Sequence, residues 1–216
     1  DRTPAYIPEI ELREHYLPQF REAVASGASS VMINSSLING VPTHADRYLL
    51  TDVLRKELGF KGVAVSDWED IKRLYTWHKV AASPLEAVVM GVNAGIDMSM
   101  VPYDFSFANL LLEAVNKKLV SMERIDEAVR RILTMKYNVG LFANPYPEKE
   151  AIGQFGKPEY KDFAFEAAAE ATTLLKNTNN ILPLKPGIKI LVAGPSAQSK
   201  AALNGAWSYT WQGKDE

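Results

Sequence analysis

Gly59-Phe60-Lys61-Gly62-Val63-Ala64-Val65-Ser66-Asp67-Trp68-Glu69-Asp70 is the stretch that decides how this chain folds. Val63 to Val65 is a short apolar run, and it predicts a buried strand. The run stops abruptly at a serine, an acid and a tryptophan. Helical patterns flank it on both sides. Before it, Leu49, Leu50, Val53, Leu54 and Leu58 share one helix face, with Asp46 as the expected N-cap and Gly59 as the C-terminal stop. A strand set between helices belongs to a parallel sheet. In parallel α/β folds, chemistry gathers at the C-terminal ends of the strands. Asp67 stands at such an end.

Working outward, residues 8–26 predict a helix with Tyr16, Phe20 and Val24 on one face, broken or restarted at Pro18. Ser30 to Ile33 predicts a strand that ends in Asn34-Ser35-Ser36. Residues 37–45 form a loop around Asn39-Gly40 and Pro42. Ser83-Pro84 opens a helix that runs through Val88, Val89 and Val92 to Gly95. A third strand, Ile96 to Met100, follows at once. Residues 106–118 and 122–138 are helical. In the second of these, Ile125, Val129, Ile132 and Leu133 form a stripe, and Gly140 stops it. Its acids (Glu123, Asp126, Glu127) precede its bases (Arg130, Arg131, Lys136), which suits the helix dipole. The alternation of strand and helix predicts a parallel α/β sheet with crossover helices. Residues 143–158 are rich in proline and glycine and read as a linker. A helix over 159–173 and strands at Thr173–Leu175 and Lys189–Ala193 would begin a second α/β domain. Three strands cannot close an eight-stranded barrel, which takes about 250 residues, so barrel material here would be a part of one.

The 216 residues are 47% hydrophobic and 23% charged, an ordinary globular balance. A net charge of −2 with no Lys/Arg-rich run speaks against nucleic acid as a partner. No apolar run has the length needed to span a bilayer, which speaks against a membrane. Cysteine is absent, which excludes disulfides and thiolate metal sites but leaves the compartment open. The chain opens at Asp1-Arg2-Thr3-Pro4 and closes at Gly213-Lys214-Asp215-Glu216, so the expectation is a piece of a longer protein.

Several stretches together resemble one family. They are Val31-Met32-Ile33-Asn34-Ser35-Ser36-Leu37-Ile38-Asn39-Gly40 with Val41-Pro42-Thr43-His44-Ala45, Tyr48 to Arg55, and Gly59 to Trp68. Ala94 to Met98, Glu123 to Leu133, Leu174 to Asn177, Leu182-Pro183-Leu184 and Gly205 to Gly213 continue the match in order. The chain resembles glycoside hydrolase family 3 over nearly its whole length. The resemblance implies a β-glucosidase-like exo-enzyme with a (β/α)8 TIM-like barrel, an α/β sandwich domain, and an active site at their junction. Residues 1–142 would be the C-terminal part of the barrel, 143–158 a linker, and 159–216 the start of the sandwich domain. Earlier barrel strands would precede Asp1, and the acid/base glutamate would follow Glu216. The implied reaction removes terminal non-reducing β-D-glucosyl residues from β-glucosides or oligosaccharides, with retention and without a metal or organic cofactor. β-Xylosidase or exo-β-glucanase activity is the close alternative, and a non-catalytic carbohydrate-binding relative the more distant one. A periplasmic or secreted location is the family-level expectation.

A retaining glycosidase needs two carboxyl groups about 5–5.5 Å apart, one of which attacks the anomeric carbon. By the resemblance that nucleophile is Asp67; on local pattern alone it is equally an N-cap or a surface acid. Trp68 would line the leaving-group subsite, where an indole covers an apolar sugar face. Trp211 would face it from the second domain. The alternative for Trp211 is packing, because Trp207, Tyr209 and Trp211 alternate as one face of a strand would. Arg73 is expected at the same subsite or else as a solvated helix charge. Met32 and Ser35 would sit at the end of the preceding strand, Met32 alternatively as core filler. Many family members carry tyrosine where Ser35 stands. Because a serine is shorter, water or another residue is expected to fill the gap to the nucleophile. His44 is expected to be a structural hydrogen-bonder, and Asp70 and Asp97 to orient neighbours rather than catalyse. Residues 1–216 alone are expected to be inactive and aggregation-prone, since part of a barrel leaves strand edges uncovered.

Overall fold

The computed structural model describes residues 3–207 and 210–214. The chain divides into two units, Asp1–Glu148 and Lys149–Glu216. The first opens with a helical run, α1 (residues 9–25), whose middle, Leu12–Tyr16, widens into π-type turns. The widening ends just before Pro18, whose ring and missing N–H cannot continue an ordinary α ladder. Pro18 thus restarts the helix at its first turn.

Strand β1 (Ser30–Met32) follows, then a hairpin of β2 (Leu37–Ile38) and β3 (Val41–Pro42). Asn39 and Gly40 both have positive φ, at 52° and 83°, which is what a two-residue type I′ turn demands. The hairpin was not evident in the loop composition. Asn39 also pins it to the N-terminal segment, accepting from the Ile7 N–H and donating to the Ile7 carbonyl, both at 2.8 Å.

Helix α2 (Tyr48–Glu57, π-type) crosses to strand β4 (Val63–Val65). The Asp46 carboxylate accepts from the Leu49 N–H at 3.0 Å, the expected cap. Gly59 follows the helix with a φ of 71°. β1 and β4 pair in parallel, with Ser30 opposite Val63 and Met32 opposite Val65. The expected third strand is reduced to one parallel bridge, Val65 to Met98, although Ala64 accepts from the Asp97 and Met98 N–H groups. Pro102, two residues beyond Met100, ends any further pairing.

Helices α3 (Asp70–Thr76), α4 (Pro84–Ala94), α5 (Ser106–Asn116) and α6 (Met122–Asn138) complete the unit. Ser83 and Ser121 cap α4 and α6 through their hydroxyls. One core joins sheet and helices: Ile33, Ala64 and Ile96 from the sheet pack with Leu50, Ile71, Val88, Val92 and Ala114. Burying each large aliphatic residue here contributes about 1.5–3 kcal/mol. This is an α/β fold.

The approach of β4 to β1 is close enough to exclude a side chain at Gly62. A Cβ there would lie 2.3 Å from the Ser29 carbonyl oxygen. Gly62→Ala is therefore expected to cost about 1–3 kcal/mol, at the upper end because the obstacle is backbone. A lowered urea midpoint checks it.

The second unit contains α7 (Pro158–Ala171) and α8 (Lys200–Asn204). The expected strands at 173–175 and 189–193 are not strands. Among the described residues they pair with no neighbour, and Leu175 and Leu191 are 92% and 91% exposed. A strand exists only where a second chain segment takes its N–H and C=O groups. No helix among the described residues is long and apolar enough to cross a membrane.

Candidate active site

Asp67 lies two residues beyond the end of β4. Ser66, fully buried, locks that position: its N–H donates to the Met98 carbonyl at 2.9 Å, and its Oγ accepts from the Met100 N–H at 2.8 Å. Glu69 then takes a left-handed φ of 58° and donates to the Met100 carbonyl at 2.9 Å. A non-glycine residue there is unfavourable, so the surrounding contacts over-determine the turn. The chain is thereby turned sharply from strand into α3, leaving Asp67 half-buried at the bend.

Both carboxylate oxygens of Asp67 are held. Ser35 Oγ donates to Oδ2 at 2.6 Å, and the Trp68 N–H donates to Oδ1 at 2.6 Å. Short bonds to a charged acceptor are the strong kind, and together they fix the side-chain rotamer. The direct bond from Ser35 corrects the expectation that something else must fill the gap. Ser35 lies past the end of β1, beside the end of β4 in the parallel pair, and its short side chain reaches the carboxylate directly. Side-chain length alone did not reveal how near the backbones come. Ser35→Ala removes the donor to Oδ2, a hydrogen bond to a charged group worth roughly 1.5–3 kcal/mol.

The Asp67 backbone is held as well. Its N–H donates to His44 Nε2 at 3.1 Å. The hairpin delivers His44: Thr43 closes onto the Ser36 carbonyl through its Oγ1 at 2.9 Å, and the turn Thr43–Ala45 buries the imidazole. His44 Nδ1 faces Asp70 Oδ2 at 3.9 Å, and Asp70 Oδ1 lies 3.1 Å from Arg73 Nε, an ion pair without hydrogen-bond alignment. His44, expected as a structural hydrogen-bonder, thus accepts from the backbone, and Asp70 lies between His44 and Arg73.

Trp68 is 41% exposed and packs edge-on against Tyr103, with ring centroids 5.7 Å apart. Tyr103 was missed; its only signal was an aromatic just past the third predicted strand. Met32 is 53% exposed, which does not fit core filler in this chain. The Arg73 guanidinium lies over Trp77 at 5.6 Å as well as beside Asp70, so it is not a freely solvated charge. Trp211 belongs to the second unit. The Trp207 N–H donates to the Trp211 carbonyl at 3.1 Å, and their rings lie 6.3 Å apart. Neither residue lies in a strand, which sets aside the alternating-strand alternative for these two; Tyr209 lies outside the described residues. Among the described residues no three of His, Cys, Asp and Glu converge as metal ligands. A hollow of about 590 Å³ lies on α6, lined by Val129, Leu133, Tyr137 and Phe142, none of them a residue of the Asp67 site.

Asp97 is a separate feature. Its side chain, fully buried, accepts from the guanidinium groups of Arg55 at 2.5 Å, Arg124 at 2.9 Å and Arg131 at 2.9 Å, and from the Ala64 N–H at 3.0 Å. Burial pulls the Arg55 guanidinium below its ordinary pKa, and Asp97 opposes that. The array ties α2 and α6 to β4.

The family model for the glycosyl hydrolase family 3 N-terminal domain matches residues 1–135. The chain belongs to glycosyl hydrolase family 3. It is 49% identical, over its whole length, to a lysosomal beta glucosidase of Dictyostelium discoideum, covering 27% of that relative. It is 41% identical to a beta-xylosidase of Formosa agariphila, over 93% of this chain and 29% of that one. The crystal structure of an exo-1,3/1,4-beta-glucanase from a Pseudoalteromonas species superposes on all of this chain and 27% of that one, with a TM-score of 0.87 and 37% identity. The chain thus spans roughly a quarter of the length of these relatives.

Proposed function

We propose that this chain carries the nucleophile of a retaining glycoside hydrolase that removes terminal non-reducing β-D-glucosyl residues from β-glucosides or oligosaccharides. One observation carries it: a carboxylate at a parallel strand end, held through both oxygens, with an exposed indole next to it in the chain. In the first step a carboxylate oxygen of Asp67 bonds to the anomeric carbon while the bond to the leaving oxygen breaks. A second carboxyl group, a glutamate in a later part of the whole protein, protonates that oxygen. It then takes a proton from water, which displaces Asp67 and restores the β configuration. No metal or organic cofactor enters these steps.

Trp68 is proposed to cover the sugar beyond the scissile bond, and Trp211 is proposed as a second substrate-binding aromatic. Arg73 is proposed for the same subsite, and Met32 and Ser35 for the glycone side. The first unit would form the C-terminal part of a (β/α)8 barrel through residue 142. Residues 143–158 would be a linker and 159–216 the beginning of a sandwich domain. A periplasmic or secreted location is proposed, supported by the name of a periplasmic beta-glucosidase of Salmonella typhimurium, 38% identical over 89% of this chain. β-Xyloside hydrolysis is the second reading, favoured by the name of the Formosa relative.

The test uses the full-length protein with an activated 2-deoxy-2-fluoro-β-glucoside, followed by peptide mass spectrometry. A stable adduct on Asp67 is the expected result. An adduct on another carboxylate, or none in a protein that binds glucose, overturns the assignment. Faster turnover of an aryl β-xyloside than of the glucoside would move the substrate to the second reading.

A further inference from the structure

We propose that His44 is a positioning residue for the nucleophile: its imidazole stands in for a missing sheet partner and fixes the backbone at Asp67. The proposal rests on Asp67 being the nucleophile. Along β4, N–H groups point alternately to the two neighbouring strands. Ser66 donates to Met98 on one side, and Val63 donates to the Ser29 carbonyl on the other. With Ser30 opposite Val63, the same register would bring the Ile33 carbonyl to the Asp67 N–H. The chain instead leaves the sheet after Ile33, turned by the Asn34 side chain, whose Oδ1 accepts from the Ser36 N–H at 2.6 Å. His44 Nε2 takes up the Asp67 N–H at 3.1 Å.

The geometry dictates the ring's state in this contact. A backbone amide can only donate, so Nε2 presents its lone pair and the ring proton sits on Nδ1. Nδ1 faces the buried Asp70 carboxylate, which in turn pairs with Arg73. His44 and Asp70 are 3% and 2% exposed, so neither meets substrate directly. Their effect reaches the reaction through the Asp67 main chain. Ser35 and the Trp68 amide orient the carboxylate, and His44 orients the peptide plane it hangs from. Displacement of a reacting group by about 1 Å can cost on the order of a hundredfold in rate.

The experiment compares His44→Gln with His44→Asn in the full-length protein. The glutamine amide reaches the place of Nε2 and can accept from the Asp67 N–H; the asparagine amide reaches only the place of Nδ1. Expected is a fall in kcat for an aryl β-glucoside of about 10- to 100-fold in His44→Asn, with most of it restored in His44→Gln. KM should stay within about twofold in both, because the lost interaction serves the transition state. The rate of fluoroglycoside labelling at Asp67 should follow kcat. Equal labelling rates in the two variants, with wild type labelled on Asp67, overturn the role of His44 alone. Absence of Asp67 labelling in wild type overturns the underlying function instead. Asp70→Asn, nearly isosteric, keeps the test decisive if both His44 variants fail to fold. It should lower kcat with KM little changed, and an unchanged kcat overturns the proposal.

Discussion

Asp67→Gly in the full-length protein is expected to lose turnover of β-glucosides by about 10⁴- to 10⁶-fold, the scale on which removal of a nucleophile disables a catalytic unit. The protein should remain folded, because the Asp67 side chain is half-buried and joins none of the apolar core. Removing it leaves the Ser35 hydroxyl and the Trp68 N–H facing the vacated space, both formerly donors to the carboxylate. A small anion such as azide fits that description. Added azide should therefore restore turnover of a substrate with a good leaving group. It would attack the anomeric carbon from the side Asp67 used, with no second displacement, so the product is the α-glycosyl azide. That inverted product is the decisive readout. Loss of activity without azide rescue, or rescue yielding a β product, would count against Asp67 as the attacking group.

Asp97→Asn is expected to destabilise the first unit by about 3–5 kcal/mol, the range found when one partner of a buried ion pair is removed. The asparagine keeps the shape and can still accept from the Ala64 N–H. It cannot balance three guanidinium groups. Arg55 and Arg124, with side chains 10% and 13% exposed, cannot swing into water without giving up their bonds to the Gly62 and Ile96 carbonyls, at 2.6 and 2.7 Å. Arg131 is 23% exposed and has Glu127 beside it at 3.5 Å, so Arg131→Met should cost less than Asp97→Asn. The urea midpoint at unchanged slope measures both. Well below the midpoint, kcat of Asp97→Asn should be close to wild type, since the array touches no residue of the Asp67 site. A loss of kcat without loss of stability would contradict a purely structural role.

Some of this was written in local sequence. Val63 to Val65 was legible as a strand because apolar β-branched residues in a short run have few other uses. The helix starts at Asp46 and Ser83 and the stop at Gly59 were legible too, since those residue types favour those positions. Asp67 stood out because it directly follows such a strand. Local pattern did not separate a nucleophile from an N-cap, and the ordered run of family-like motifs tipped that balance.

What local sequence could not contain is register. Two of the bonds that hold Asp67 come from residues 23 and 32 positions away, and the Asp97 array closes over separations of 27 to 42. No periodicity encodes such pairings. They follow from which strands lie side by side and how closely they approach. The same reason explains the errors. Residues 173–175 and 189–193 have strand-like composition, but a strand needs a partner, and composition does not supply one. Ser35 looked too short to reach the acid, yet its position just beyond β1, beside the end of β4, brings its hydroxyl to 2.6 Å from Asp67. The amino-acid order by itself determined the α/β alternation, the helix ends and the strand-end acid. Tertiary structure alone decided that Ser35 and His44 converge on that acid, because hydrogen bonds between distant residues exist only once the strands have chosen their neighbours.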